Sequence, residues 1–261
     1  MTSSLFCHIA GDGQPLVWLH GWGVNGSVFL PTVTQLPQYR SYCVDLPGFG
    51  DSQPQFGTLD DWAERLIAEL PADAIWIGWS LGGLLATRVA QRWPDKVKAL
   101  VTVASSPCFM ARPDNAWPGI APSVLQQFEA QLQQDLQRTV ERFLAIQAMG
   151  SDTAREDIRH LKELVLSKPL PDAFALAQGL SMLKQVDLRD SLSSLTLPWL
   201  RVWGRLDGLV PQKIVPLLPV TPQIEDVILP KSSHAPFISH PEDFLQYLRS
   251  WLYEKGFNSS R

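Results

Sequence analysis

No apolar run in the sequence approaches the roughly 18 residues needed to cross a bilayer. The N-terminal Met-Thr-Ser-Ser-Leu-Phe-Cys-His lacks both the charged region and the long apolar stretch of a signal peptide. Cysteine is scarce. Cys7, Cys43 and Cys108 are odd in number, widely spaced and outside any Cys-x-x-Cys pattern, which argues against a disulfide framework and a zinc site. A reduced, cytoplasmic compartment with no metal and no cofactor is the resulting expectation. Basic charge is lacking too: 22 Lys and Arg against 26 Asp and Glu give a net charge of −4. That balance supplies no field for nucleic-acid phosphates and no long-range attraction to anionic membranes. There are no internal repeats and no low-complexity tract.

What remains is a chain of 261 residues, 45% hydrophobic and 18% charged, of a size suited to one large α/β domain. Ten tryptophans is a high number, and composition does not say which are core and which line a pocket. Short β-branched and aromatic runs read as strands at Leu16–Leu19, Ser41–Val44, Ala74–Gly78, Leu100–Ala104, Trp199–Trp203 and Glu225–Leu229, with a further one at Phe6–Ile9. Several are almost continuously apolar, as in a parallel sheet covered on both faces. Between them, Thr58 and Asp61 form a capping pair for a helix carrying Leu59, Trp62, Leu66 and Leu70, which Pro71 stops. A second helix follows Ser80 and ends before Pro94. A last one starts near Pro241 with Phe244, Leu245, Leu248 and Leu252 on one face. Alternating strand and helix predicts a mostly parallel α/β fold.

The alternation breaks between about Met110 and Val186. There Val124, Phe128, Leu132, Leu136, Val140 and Leu144 predict one long helix ending at Gly150-Ser151, and a further helix presents Ile158, Leu161 and Val165. The expected organisation is a core formed by 1–109 and 187–261, with 110–186 inserted as a helical cap over the active-site end; a packing appendage is the plainer alternative.

Gly78-Trp79-Ser80-Leu81-Gly82 fits the G-x-S-x-G pattern, which ordinary Gly and Ser frequencies produce by chance in roughly one such chain in ten. Its surroundings make it specific. Ala-Ile-Trp-Ile precedes it as a strand and Leu84–Ala90 follows as a helix, the strand–turn–helix of a nucleophile elbow. A serine hydroxyl needs a base, and the base an orienting acid. Of five histidines, His234 follows a strand at the same sheet edge and precedes the last helix. His240 reads as a helix-start residue, His8 as peripheral, His160 as a surface residue, and His20 belongs to a glycine turn. Asp207 follows the strand ending Val202-Trp203-Gly204; Asp187 precedes that strand, and Asp45 is explained by its turn. The order Ser80, Asp207, His234 matches the order of this fold. The oxyanion of a tetrahedral intermediate would be held by the backbone N–H of Leu81 and that of Trp22 in His20-Gly21-Trp22-Gly23. These motifs fit a serine carboxylesterase. They also leave open a broad short-chain esterase, a C–C bond hydrolase or perhydrolase, and, from another class, a non-catalytic binding protein.

The elbow, the His-Gly-Trp-Gly loop, Asp45-Leu-Pro-Gly-Phe-Gly and the Asp207 and His234 loops resemble the α/β-hydrolase superfamily. Longer stretches (78–84, 99–109, 137–145, 206–211 and 234–241) resemble its family of biotin-pathway pimeloyl-[acyl-carrier protein] methyl ester esterases. The likeness runs from about Val17 to Leu248 and includes the cap. It implies hydrolysis of a methyl ester on a pimeloyl chain thioester-linked to acyl carrier protein, by a monomer without cofactor. It further implies substrate-lining roles for Trp22, Ser80, Leu81, Phe143, Leu144, Ala145, Ile146, Gln147 and His234, with 146 an inexact match. Arg138 with Arg142, and Arg155 with Arg159, are spaced i, i+4 and each place two guanidiniums on one helical face. From the residues alone that is either a solvated face, given Glu141, Glu156 and Asp157, or an anion clamp. The resemblance implies docking of the acidic carrier protein.

Overall fold

A computed structural model describes residues 5–147 and 154–257. Seven strands, β1 (Cys7–Ala10), β2 (Gln14–Leu19), β3 (Tyr39–Val44), β4 (Ala74–Trp79), β5 (Val97–Val103), β6 (Trp199–Gly204) and β7 (Ile224–Leu229), form one sheet in the order β1-β3-β2-β4-β5-β6-β7. Only β1 runs antiparallel, pairing with β3 at the sheet edge; the other pairings are parallel. Every strand expected from the sequence is present, most extended by one to three residues at the start. The parallel arrangement sends the loops after β2, β3, β4, β6 and β7 to a single edge of the sheet, which collects residues far apart in sequence.

The helices are α1 (Leu30–Val33), α2 (Leu59–Glu69), α3 (Leu81–Arg92), α4 (Pro122–Leu132), α5 (Leu136–Gln147), α6 (Ala154–Val165), α7 (Ala173–Gln185), α8 (Pro236–Ser239) and α9 (Pro241–Glu254). The Thr58–Asp61 capping box opens α2, with each side chain bonded to the other's backbone N–H. Leu70 ends α2 in an extended conformation just before Pro71. Helix α3 packs across β2, β4 and β5 and against α2, while α9 lies on β7. The core they close includes Trp18, Trp62, Trp76, Trp79 and Trp251, all fully buried.

The described residues of 110–186 form helices α4 to α7 and no strand, apart from isolated bridges at Met110–Ile120 and Arg112–Trp117. The long helix expected through Leu144 is two helices. Its apolar stripe continues across the break, but Asp135 caps α5: its Oδ1 accepts the Arg138 N–H at 2.9 Å and its carbonyl accepts the Thr139 hydroxyl at 2.6 Å. The expected helix end at Gly150-Ser151 lies outside the described residues.

This helical segment is tied to the carboxyl edge of the sheet at several points. Asn25 Nδ2 donates to the Val165 carbonyl at 3.1 Å, and Lys168 Nζ lies 2.6 Å from the fully buried Asp45 carboxylate. Asp45 also accepts the backbone N–H groups of Gly26 and Asp51, so it organises its turn, as expected, and clamps the helical segment as well. The same ammonium reaches Asp51 at 3.3 Å and sits 3.8 Å over the Phe6 ring. Lys168→Met leaves a buried carboxylate with only two amide donors; urea unfolding will register a loss of about 2–3 kcal/mol. An unaltered midpoint would mean that the amides satisfy Asp45 by themselves.

Candidate active site

Ser80 stands at the end of the central strand β4 with φ 54° and ψ −119°, a left-handed backbone that a serine adopts only when its surroundings impose it. Its N–H donates to the Val103 carbonyl at 3.0 Å. Its carbonyl accepts the N–H groups of Gly83 (2.9 Å) and Leu84 (3.2 Å) and the Ser105 hydroxyl (2.8 Å). The turn closes only because Gly78 and Gly82 lack side chains: a Cβ on Gly78 would collide with the Gly82 backbone, and one on Gly82 with the Leu19 carbonyl. The side chain therefore stands at the N-terminus of α3, where unpaired N–H groups and the helix dipole favour negative charge.

The loop after β7 delivers His234 and the loop after β6 delivers Asp207. Their side chains meet, with Nδ1 of His234 2.7 Å from Oδ2 of Asp207. The other oxygen, Oδ1, accepts the N–H groups of Leu209 (2.8 Å) and Val210 (3.0 Å), which fixes the carboxylate plane. A carboxylate at Nδ1 places the proton there and leaves Nε2 as the acceptor. Nε2 is buried with no hydrogen-bond partner among the described residues. The two loops are joined by the Leu206 N–H donating to the Ser232 carbonyl at 2.9 Å. His234 is also gripped through its backbone. Trp79 Nε1 donates to its carbonyl at 2.8 Å, and its N–H donates to the carbonyl of Gln147 at 3.2 Å. Neither Trp79 nor Ser105 was singled out from the sequence for these contacts; the position of Trp79 inside the G-x-S-x-G pattern was the available signal.

The His20–Gly23 turn lies directly beside Ser80, since a Cβ on Gly21 would sit 3.2 Å from the Ser80 Cβ. Trp22 is fully buried. Its Nε1 donates to the Leu176 carbonyl of α7 at 2.8 Å, and its ring meets Phe143 edge-on at 4.8 Å and Phe128 at 6.4 Å. Helix α7, not located from the sequence, lies so close that a Cβ on Gly179 would stand 2.7 Å from the Trp22 ring and 3.2 Å from Leu81 Cδ2.

Of the other residues expected at the substrate, Phe143, Leu144 and Gln147 occupy the buried face of α5, together with Val140 against Gly23. Gln147 is fully buried with both side-chain polar atoms unpartnered among the described residues. Ile146 is half-buried against the core. Ala145 lies elsewhere: it lines a surface groove of about 650 Å³ with Arg138, Arg142 and Thr139 of α5 and Ile158 and Lys162 of α6. Arg155 and Arg159 are exposed on α6 and are not part of that lining. Glu141 is paired with Lys162 at 3.1 Å, and among the described residues no carboxylate bridges Arg138 or Arg142. The rival residues are accounted for. His8 and His160 are exposed, His240 sits at the start of α9, and Asp187 is bound to Arg189 at 2.6 Å. His20 is structural, accepting the Leu46 N–H at Nε2 (2.9 Å) and donating from Nδ1 to the Gly21 carbonyl (2.7 Å).

Residues 14–241 match the family described as alpha/beta hydrolase fold. The chain is 61% identical over 253 residues to a pimeloyl-[acyl-carrier protein] methyl ester esterase of Shewanella woodyi, covering 97% of this chain and 99% of that one. It is 51% identical to the enzyme of the same name from Edwardsiella ictaluri, covering 93% and 95%. Among solved structures, an esterase from Exiguobacterium antarcticum superposes with a TM-score of 0.84 over 96% of each chain at 22% identity, a likeness of fold alone.

Burial pushes the His20 imidazole down from 6.5 to about 4, against the opposing pull of Asp45. Between those values the unfolded chain takes up a proton that the folded protein refuses. Stability from this group is therefore complete above about pH 6.5 and declines as pH falls towards 4, by at most about 3 kcal/mol. His20→Asn should flatten that part of the stability–pH curve in urea titrations. Parallel curves for the two proteins would refute the assignment.

Proposed function

Because the chain belongs to the family of pimeloyl-[acyl-carrier protein] methyl ester esterases within the alpha/beta hydrolase fold, we propose that it hydrolyses the methyl ester of a pimeloyl chain carried on acyl carrier protein, for biotin synthesis. The observation that carries the chemistry is the His234–Asp207 contact at 2.7 Å, which leaves Nε2 buried and without a partner among the described residues.

In this reading Nε2 of His234 takes the Ser80 hydroxyl proton as the oxygen attacks the ester carbonyl. The negative charge that develops on the carbonyl oxygen is held by the N–H groups of Trp22 and Leu81. Leu81 opens α3, so its N–H has no acceptor within the helix. The tetrahedral intermediate collapses, methanol leaves with the proton from His234, and Ser80 keeps the acyl group. Water, deprotonated by His234, then attacks the acyl-enzyme and frees the distal carboxylate. Asp207 holds the imidazole in the required tautomer and stabilises its cation.

Helices α4 to α7 act as the lid. Ser80 and His234 are 2% and 1% exposed, so their closure excludes water and strengthens every electrostatic contact around the oxyanion. The aromatic wall of Trp22, Phe128 and Phe143 receives the apolar methylene chain. Arg138 and Arg142, which no carboxylate among the described residues bridges, together with the exposed Arg155 and Arg159, receive acidic side chains of the carrier protein. In this reading the enzyme acts as a cytoplasmic monomer; among the described residues no helix is long and apolar enough to cross a membrane.

Ser80→Ala will lower turnover of the methyl pimeloyl-carrier substrate by at least about 10⁴-fold, and a fluorophosphonate probe will label Ser80 in the unaltered protein, read by peptide mass spectrometry. Substantial hydrolysis by the variant would remove Ser80 from the reaction, and an unlabelled serine would favour a binding protein. Reversing the charge of Arg138, Arg155 and Arg159 to Glu will raise KM for the carrier-linked ester at least about tenfold and leave p-nitrophenyl ester hydrolysis within about twofold. Equal loss on both substrates would contradict a docking role.

A further inference from the structure

A layer of touching rings, Trp22, Phe143 and Phe128, links the turn beside Ser80 to Arg142 of the exposed groove. Ser80 and His234 are closed to solvent, so an ester linked to a bulky carrier reaches them only if some side chain of that layer moves. Phe128 of α4 is the ring with contacts on both sides. Inward, it meets Phe143 edge-on at 5.5 Å and, at 6.4 Å, Trp22 of the His20–Gly23 turn. Outward, the Arg142 guanidinium carbon stands 5.5 Å from its ring centroid. Arg142 itself is exposed, lines the groove with Arg138, and among the described residues has no carboxylate to hold it elsewhere.

We propose that Phe128 is the gate between the carrier groove and Ser80, and that Arg142 holds it shut by lying on its ring. The proposal rests on the esterase reading given above. An acidic group of the docking partner competes for the Arg142 guanidinium. The carboxylate draws the cation off the ring, the gate loses an attraction that such contacts supply to a ring face, and Phe128 becomes free to turn out of the path. Docking and opening are then linked, because the partner binds more tightly to the form in which Arg142 has left Phe128. The free enzyme admits small esters slowly, and the arriving carrier opens its own route.

The linkage predicts effects of opposite sign from a single substitution. Arg142→Gln removes the cation from the ring and from the groove together. For p-nitrophenyl butyrate, which needs no docking, kcat/KM rises about fivefold, the factor that corresponds to a cation–π contact of ordinary strength. For the methyl pimeloyl-carrier substrate kcat/KM falls about tenfold. Phe128→Leu raises the small-ester rate as well, and the double variant shows no more than the larger single gain, because both changes open one gate. A small-ester rate that is unchanged or lower in Arg142→Gln overturns the gate, as does full additivity in the double variant. If the unaltered enzyme fails to hydrolyse the carrier-linked ester, the substrate reading falls instead, and the p-nitrophenyl butyrate series still decides the gate.

Discussion

A non-glycine residue at φ 54° carries a cost of roughly 1–3 kcal/mol, and Ser80 holds that conformation because hydrogen bonds fix the peptide groups on both sides of it. Those bonds come from the next strand (Val103), from the first turn of α3 (Gly83 and Leu84) and from Ser105, so sheet, helix and following loop all have to be in place. The turn brings β4 and α3 within a distance that only Gly78 and Gly82 permit. Much of the molecule can be understood as the frame for this one strained peptide. The central position of β4 in the sheet makes that frame stiff.

The histidine is positioned by a different logic. No single element holds His234: Asp207 fixes its ring, Trp79 its carbonyl and Gln147 its N–H. Two of these contacts come from outside its own loop and neighbouring strand, Trp79 from the strand that carries Ser80 and Gln147 from the end of α5. The helical segment therefore reaches the imidazole through the backbone as well as covering it. Movement of α5 would disturb His234 directly, which ties the position of its imidazole to the packing of the helical segment.

Local patterns carried a great deal of this protein. The strands were legible because buried parallel strands are almost pure apolar runs, and the Ser80 turn because it demands glycine on both sides. The helical region was harder for definite reasons. The apolar stripe from Val124 to Leu144 keeps its phase through Gln133–Asp135, so spacing alone could not show that Asp135 starts a new helix. Helix α7, Ala173–Gln185, buries Ala175, Leu176, Gly179, Leu180, Met182 and Leu183, but its outward face also carries Ala173, Phe174 and Ala177, and apolar residues on both faces blur the amphipathic signal. Ala145 lies within a run whose neighbours face inward, yet helical geometry turns it outward beside Arg142.

By itself, the sequence determined the strands, the mostly parallel α/β class and, through longer matching stretches, the family, and it singled out Ser80, Asp207 and His234 as candidates, since these follow from requirements that act over a few residues: tight turns, chain order and strand composition. Tertiary structure alone decided what surrounds Ser80. The contact of Gln147 with His234, the seat of Trp22 under α7 and the ring of Phe128 between Arg142 and Trp22 join residues on different elements, as far as 154 positions apart for Trp22 and Leu176. Their proximity depends on how four helices pack over one sheet edge, and packing of that range leaves no periodicity in the chain.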